Sequence, residues 1–327
     1  MGIAKAALIF VLAILLAPLV TGQDTLRTQT SVVLVPALVK DGAGNVVYGL
    51  QAKDFIIEDD GVSQPVRMDE AAVAEPVSLV IAIQTGRTGS AEFERIRTLS
   101  TMLDLILSQE GSQVAIVLFD SQVDLVRDFT SDAALIHKDL KKLRAGDGGA
   151  AILDAVSYSA GLLNETPKNR QRVLLLISET RDHGSIRDID EVVTLIGNSN
   201  IAIYTLAFSP TTSNILDDLR GKLERKGDSV NLAEAAIKLM VMARQAMRMN
   251  APKEIARLTG GEYELFKSHR GFESHMVEFA NHVHNRYLLS FVPKTPHPGL
   301  HEIRVRVKDT GGVTILAREN YWAKPPE

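Results

Sequence analysis

The 327-residue chain contains no cysteine, and this one absence removes disulfides, thiolate metal centres and cysteine nucleophiles together. It also lacks long runs of basic residues. A net charge of -4, spread without like-charge blocks, leaves no cationic patch for a nucleic acid or an anionic membrane surface, so neither is expected as a partner. There is no Gly-x-Ser-x-Gly elbow, no phosphate-binding P-loop and no His-Glu-x-x-His pair. Gly42-Ala43-Gly44 lacks the third glycine of a dinucleotide fingerprint, since Val47 stands in its place and no helical pattern follows.

Histidine offers little more. His269, His275, His282 and His284 are close in sequence, but residues two apart on a helix point away from each other, so His282 and His284 do not chelate together. Solvated or capping histidines are expected. Residues 178–184 mix serine, acid and His183, yet one contiguous run does not supply the separated geometry of a catalytic triad. The expectation is a protein that is not an enzyme, with an envelope hydrolase lacking any known motif as an alternative.

No apolar run reaches the ~20 residues that span a bilayer comfortably. The longest, residues 6–20, follows Lys5 and ends near the small residues Val20 and Gly22, the pattern of a removable export signal. Residues 1–22 are therefore read as a signal peptide, cleaved to leave Gln23 first, with an uncleaved anchor as the alternative, and the mature chain as periplasmic or extracellular without membrane insertion. No cysteine follows the run, so a thioether-linked lipid has no attachment point.

The whole chain is 45% hydrophobic and long enough to bury one sizeable core and a smaller one without staples. Residues 24–75 read as β structure. TSVVLVPALVKD and NVVYGL flank the turn residues 42–44 as a hairpin, and short strands carry Phe55 and Ile57 around Asp59, Asp60 and Gly61. From residue 76 to 285 the period changes: continuous apolar runs such as SLVIAI, QVAIVLF, RVLLLIS and IAIYTLAF alternate with segments of helical spacing. Strands this apolar are buried on both faces, which predicts a doubly wound, mostly parallel α/β sheet. Helix 232–249 concentrates methionine, most simply as packing. Residues 286–327 are β again. An isolated hairpin is marginal in water, so the two ends are expected to form one flanking β-sandwich around the inserted α/β domain.

Open α/β sheets bind ligands at the carboxyl ends of their strands, where residues 77–90, VSLVIAIQTGRTGS, place a polar loop with oxygens at Gln84, Thr85, Thr88 and Ser90 but no carboxylate. Five segments, namely residues 78–83 with this loop, QVAIVLFDSQV, GGAAILDAV, RVLLLISETRDHGS and IARLTGGEYELF, resemble in order the signature blocks of a von Willebrand factor type A domain. The flanks VPALVKDGAGNVVYGLQAKDFIIEDDGVSQPV and RYLLSFVPKTPHPGLHEIRVRVKD resemble those bracketing such domains in exported VWFA-related proteins of the acidobacterial type.

The resemblance implies a Rossmann-like fold and a metal-ion-dependent adhesion site on three loops, where a hard cation such as Mg²⁺ takes oxygen ligands. The matching positions depart from it. Gln84, Gly86 and Thr88 stand for an Asp-x-Ser-x-Ser pattern, Ala150 replaces a threonine, and Ser178, Glu179 and Thr180 replace Thr-Asp-Gly, with Asp182 close behind. Asp147 lies out of register for a ligand. Arg87 and Arg181 add positive charge where a cation would bind. The expectation is thus a degenerate rim with neither metal nor other cofactor, binding a protein partner. Arg87 and Arg181 either capture that partner's carboxylates or, in the case of Arg87, pair internally with Glu179 or Asp182. A Mg²⁺-dependent adhesin using Glu179, Asp182, Thr88 and water is the other alternative.

Overall fold

Two strands bury every side chain they carry, VSLVIAIQ at 77–84 and IAIYTLAF at 201–208, and the molecule is organised around them. The structure is a computed structural model that describes residues 32–69, 75–208, 232–294, 297–308 and 311–323. The leader read at residues 1–22 and the polar interval 209–231 fall outside these ranges.

The chain enters on β1 (Val33–Lys40), β2 (Phe55–Asp59), β3 (Val62–Gln64) and β4 (Arg67–Met68). The α/β part runs through β5 (Val77–Gln84), α1 (Phe93–Ile96), α2 (Leu99–Leu107), β6 (Gln113–Phe119), β7 (Val123–Thr130), α3 (Ala133–Leu140) and α4 (Ile152–Asn164). It continues with β8 (Gln171–Glu179), α5 (Ile189–Asn198), β9 (Ile201–Phe208), α6 (Leu232–Met249), α7 (Ala251–Thr259), β10 (Tyr263–Leu265) and α8 (His269–His284). The last strands are β11 (Tyr287–Phe291), β12 (Gly299–Val307), β13 (Thr314–Ala317) and β14 (Asn320–Ala323).

The central sheet has the order β10-β9-β8-β5-β6-β7. Its strands pair in parallel except β7, which pairs antiparallel with β6 and closes one edge. The apolar runs do not announce β7, because its sequence VDLVRDFT is half polar and largely exposed. Alternate side chains supply two cores. Leu79, Ile81, Ile83, Ile116 and Leu175 meet Leu99, Leu103, Ile136, Phe272 and Phe279 on one face. Val80, Ala82, Val117, Leu174 and Ile203 meet Ile152, Val156, Val193, Met247 and Ile255 on the other. A sheet buried on both sides by helices is the doubly wound α/β architecture that the apolar runs predict.

The two ends of the chain share two antiparallel sheets, β13-β1-β11-β4 and β14-β12-β2-β3, each mixing strands from before and after the α/β part. Val35, Phe55, Ile57, Leu289, Phe291, Ile303 and Tyr321 fill the space between them. The expected hairpin at residues 45–50 does not form. Lys40 makes only an isolated bridge with Val46, while Asp41 Oδ1 accepts from Ala43 and Asn45 N–H and tightens the turn. β1 instead pairs with β11 and β13, which carry more buried apolar surface than NVVYGL can offer.

His282 corrects a second expectation, since it is neither solvated nor a cap. It is 5% exposed, with Nδ1 2.9 Å from Glu262 Oε1, and Arg286 and Lys40 approach the same carboxylate at 3.7 and 3.4 Å. Burial alone raises the Glu262 pKa, but the His282 hydrogen bond and the two nearby cations outweigh it and hold the group below its usual value. A depressed carboxylate contributes stability that is complete above its unfolded value, about 4.5, and is lost as pH falls through the folded one. Thermal unfolding followed from pH 7 to pH 3 is therefore expected to show an acid limb that Glu262→Gln flattens, and an unchanged limb in that variant overturns the assignment.

Candidate functional site

The sheet order reverses between β5 and β8, because the chain moves from β5 to β6 on one side and from β8 to β9 on the other. The crevice outside such a reversal is where open α/β sheets hold ligands. Here it is bridged by protein. Gln84, fully buried at the end of β5, accepts the Glu179 N–H at 2.8 Å through Oε1 and donates through Nε2 to Gly86 O at 3.1 Å. Both ends of its amide are committed, and neither is turned toward a ligand.

Glu179 ends β8 and is 3% exposed. Arg87 Nε lies 2.7 Å from its Oε1, Thr88 Oγ1 is 3.5 Å from its Oε2, and His183 Nε2 is 3.8 Å from Oε1. The arginine meets Oε1 as a charge partner rather than a hydrogen-bond donor, because no N–H among the described residues is aimed at that oxygen. The internal pairing is the one formed. Arg87 is held for it in a left-handed backbone conformation, φ 48°, which is unfavourable for any residue with a side chain, and its N–H donates to Asp147 O at 2.9 Å.

The second loop is fixed by Asp147 and Asp120. Asp147 accepts from the Ser121 N–H at 3.0 Å, the Gly149 N–H at 2.7 Å and the Ser121 hydroxyl, and the hydroxyl bond leads in pulling its pKa down. Its own N–H donates to Asp120 Oδ2 at 3.1 Å. Gly86 and Gly149 stand where these loops cross. A Cβ on Gly86 falls 2.1 Å from Gly149 O, and one on Gly149 falls 2.4 Å from Ser121 N, so both positions require glycine by contact.

The third loop braces the second. Ala150 and His183 exchange both backbone hydrogen bonds at 2.8 Å. Asp182 Oδ1 accepts from Leu153 N–H at 3.0 Å and from the Ser185 hydroxyl at 2.5 Å, and Ser185 Oγ also accepts from Leu153 and Asp154 N–H. These bonds satisfy the free N–H groups that open α4. Asp154 in turn accepts from Ile186 and Arg187 N–H at 2.8 and 2.9 Å. Ser178 donates to Glu179 O at 2.9 Å and stays buried.

A hard divalent cation needs several oxygens free to converge, carboxylate among them. Of the rim positions, Gly86 and Ala150 carry no oxygen in the side chain, Gln84 is bonded at both ends, Asp182 caps α4, and Glu179 faces Arg87. Of the hydroxyls, Ser178's is bonded to Glu179 O and Thr88's is already beside the Glu179 carboxylate. This donor set does not fit a Mg²⁺ ion.

Among the side chains that the rim presents to solvent, two are free of other duties. Arg181 is exposed and makes no hydrogen bond or ion pair among the described residues. Ile186 is 89% exposed, although Asp154 fixes its backbone. Neither Ile186 nor the bracing by Asp154 and Asp120 stands out in the sequence, because an isoleucine within a polar run, an aspartate in the first turn of a helix and one in a turn after a strand are all common.

Residues 83–182 match the family model of the von Willebrand factor type A domain. Among solved structures, the chain is similar to the conserved hypothetical protein BatB of Bacteroides thetaiotaomicron, 16% identical over 63% of this chain and 98% of that one, with a TM-score of 0.43. It is similar to a von Willebrand factor type A protein of Catenulispora acidiphila, 10% identical over 91% of this chain and 75% of that one, TM-score 0.46. The vWF domain of the type V pili tip protein Mfa5 of Porphyromonas gingivalis is 10% identical over 64% of this chain and 96% of that one, TM-score 0.42. No curated protein matches the sequence.

Proposed function

We propose that the von Willebrand factor type A domain matched by residues 83–182 is a non-enzymatic protein-binding module that works through its upper rim without a metal ion. The observation that carries this reading is Ile186, 89% exposed on a loop whose backbone is fixed, the same β8–α5 loop that carries the exposed Arg181. A preorganised surface loses little conformational entropy on association, and an apolar side chain and a cation on one loop suit a partner that offers both an acidic and an apolar group. The buried acid at the sheet's reversal is already countered by Arg87, so a bound cation is not needed to neutralise it. Export to the periplasm or beyond follows from the signal pattern of residues 1–22, and among the described residues no helix is long and apolar enough to cross a membrane.

Capture from envelope extract, with and without chelator, tests this reading. One partner is expected in both conditions, and its recovery is expected to fall at least tenfold when the bait carries Arg181→Glu and Ile186→Asp. Capture that disappears with chelator, together with micromolar Mg²⁺ or Mn²⁺ binding in calorimetry that Glu179→Ala abolishes, supports the metal-dependent adhesin instead.

A further inference from the structure

We propose that Asp59, Asp60, His297 and His301 form a binding site for a divalent transition metal of the zinc class, within the β-sandwich and separate from the rim. They come from two distant parts of the sequence, Asp59 with Asp60 and His297 with His301. β2 and β12 pair antiparallel with Asp59 opposite Ile303, which brings the end of β2 beside the first half of β12. His301 Nδ1 then lies 3.0 Å from Asp59 Oδ1 and 2.8 Å from Asp60 Oδ2, and His297 Nε2 lies 2.9 Å from the same Asp60 oxygen. The donor atoms of Asp60, His297 and His301 all fall within 4.8 Å of one another. Ligands held at ~2.1 Å around a tetrahedral zinc ion are separated by about 3.4 Å, so the pairs at 2.8, 2.9 and 3.0 Å need to open by about half an ångström.

The opposite end of each inner ligand is already tied. His301 Nε2 donates to His297 O at 2.7 Å, the Tyr321 hydroxyl donates to Asp59 Oδ2 at 3.0 Å, and the Glu302 N–H donates to Asp60 Oδ1 at 2.9 Å. An imidazole whose second nitrogen bonds a backbone carbonyl, and carboxylates whose second oxygens are hydrogen-bonded, are the outer-shell pattern that orients metal ligands. Asp60 also sits at φ 48°, a left-handed conformation that a non-glycine residue keeps only where its surroundings hold it.

Charge and access agree with this assignment. Asp59 is 1% exposed and His301 0%, so two adjacent carboxylates stand at the edge of an apolar core and require positive compensation. Asp60 and His297 remain partly open at the side chain and provide a way in. The His297 ring stacks on His301 with centroids 3.8 Å apart, so it joins the ion by turning out of that stack on its open side, while Asp59, Asp60 and His301 provide the fixed part. Two imidazoles with two carboxylates suit zinc better than the all-oxygen shells of Mg²⁺ or Ca²⁺. Asp60, His297 and His301 converge, and Asp59 Oδ1, 3.0 Å from His301 Nδ1, moves in as the fourth ligand, which makes the role structural: the ion fastens the β2–β3 turn to β12 and so joins the two ends of the chain.

Calorimetric titration of the purified, chelator-treated chain with Zn²⁺ tests the site. One ion per chain is expected, with Mg²⁺ giving no uptake there, and Co²⁺ in its place is expected to produce the visible absorption of a tetrahedral centre. His297→Gln and Asp60→Asn each weaken Zn²⁺ binding at least tenfold, with the far-ultraviolet circular dichroism unchanged for the partly exposed His297. Absence of saturable Zn²⁺ uptake overturns the proposal. So does uptake that both variants leave intact, because the ion then rests on other histidines such as His269 or His275. Neither result bears on the rim, whose partner capture is measured independently.

Discussion

Gly86→Ser is expected to destabilise the protein and to leave it without affinity for Mg²⁺, although the resemblance to a von Willebrand factor type A domain implies a serine of the metal-ion-dependent adhesion site at this position. The substitution adds a Cβ 2.1 Å from Gly149 O, 2.8 Å from Asp120 Cβ and 3.0 Å from Asp147 O. Two of these neighbours are backbone oxygens of the second loop, held by Asp147 through its bonds to Ser121 and Gly149, so they have nowhere to yield. Overpacking of this kind costs about 1–3 kcal/mol and more where backbone must move. The hydroxyl is also unable to restore a cation site, because Gln84 and Asp182 stay engaged elsewhere and Arg87 stays beside Glu179. Denaturant unfolding measures the first effect and calorimetry with Mg²⁺ the second. Gly148→Ala is the control, since a Cβ there meets nothing within 4 Å, and its stability should stay near that of the parent. A Gly86→Ser protein of parental stability, or one that binds Mg²⁺ at micromolar concentration, refutes this account of the loop crossing.

The second large effect lies far from the rim positions. Arg318 is 4% exposed and has no carboxylate partner among the described residues. Its guanidinium donates instead to Asn320 O at 3.0 Å, Gly197 O at 2.9 Å, and Ser199 O and Leu34 O at 3.4 Å each. Gly197 and Ser199 end α5, where unpaired carbonyls and the helix dipole favour a cation. Asn320 and Leu34 belong to the terminal sheets, so this one side chain joins the sandwich to the α/β core. Arg318→Met is expected to cost about 3 kcal/mol or more, because several buried carbonyls lose their donor at once and each unsatisfied group costs about 1–3 kcal/mol before water enters. Arg318→Lys recovers little, since an ammonium on a flexible stem does not span the same fork of acceptors. Denaturant unfolding followed by Trp322 fluorescence together with far-ultraviolet circular dichroism is the measurement. Trp322 packs against Gly197 at this junction, so loosening there should move its signal to lower denaturant than the loss of helix. A Met variant within about 0.5 kcal/mol of the parent rules out a bridging role, that being the range of ordinary surface substitutions.

Each of these positions shows where local pattern ends. The apolar runs that become β5, β6, β8 and β9 are legible because burial on both faces leaves a signal inside a single segment. β7 is not, since an exposed edge strand carries no such run, and NVVYGL reads as a strand yet forms none because β1 finds better partners at the other end of the chain. His282 looks like a solvated residue of a helix end until β10 places Glu262 beside it.

By itself the sequence determined which atoms are available: no thiol anywhere, no carboxylate at Gln84, no hydroxyl at Gly86 or Ala150, and an acid at Glu179. Those are facts of composition at fixed positions, and no folding alters them. The tertiary structure alone decided how the remaining charges are used. It set Arg87 against Glu179 across 92 positions, counted from the two residue numbers, and His301 against Asp59 across 242. Pairing over such separations depends on which strands become neighbours, a property of the whole sheet that no local period encodes.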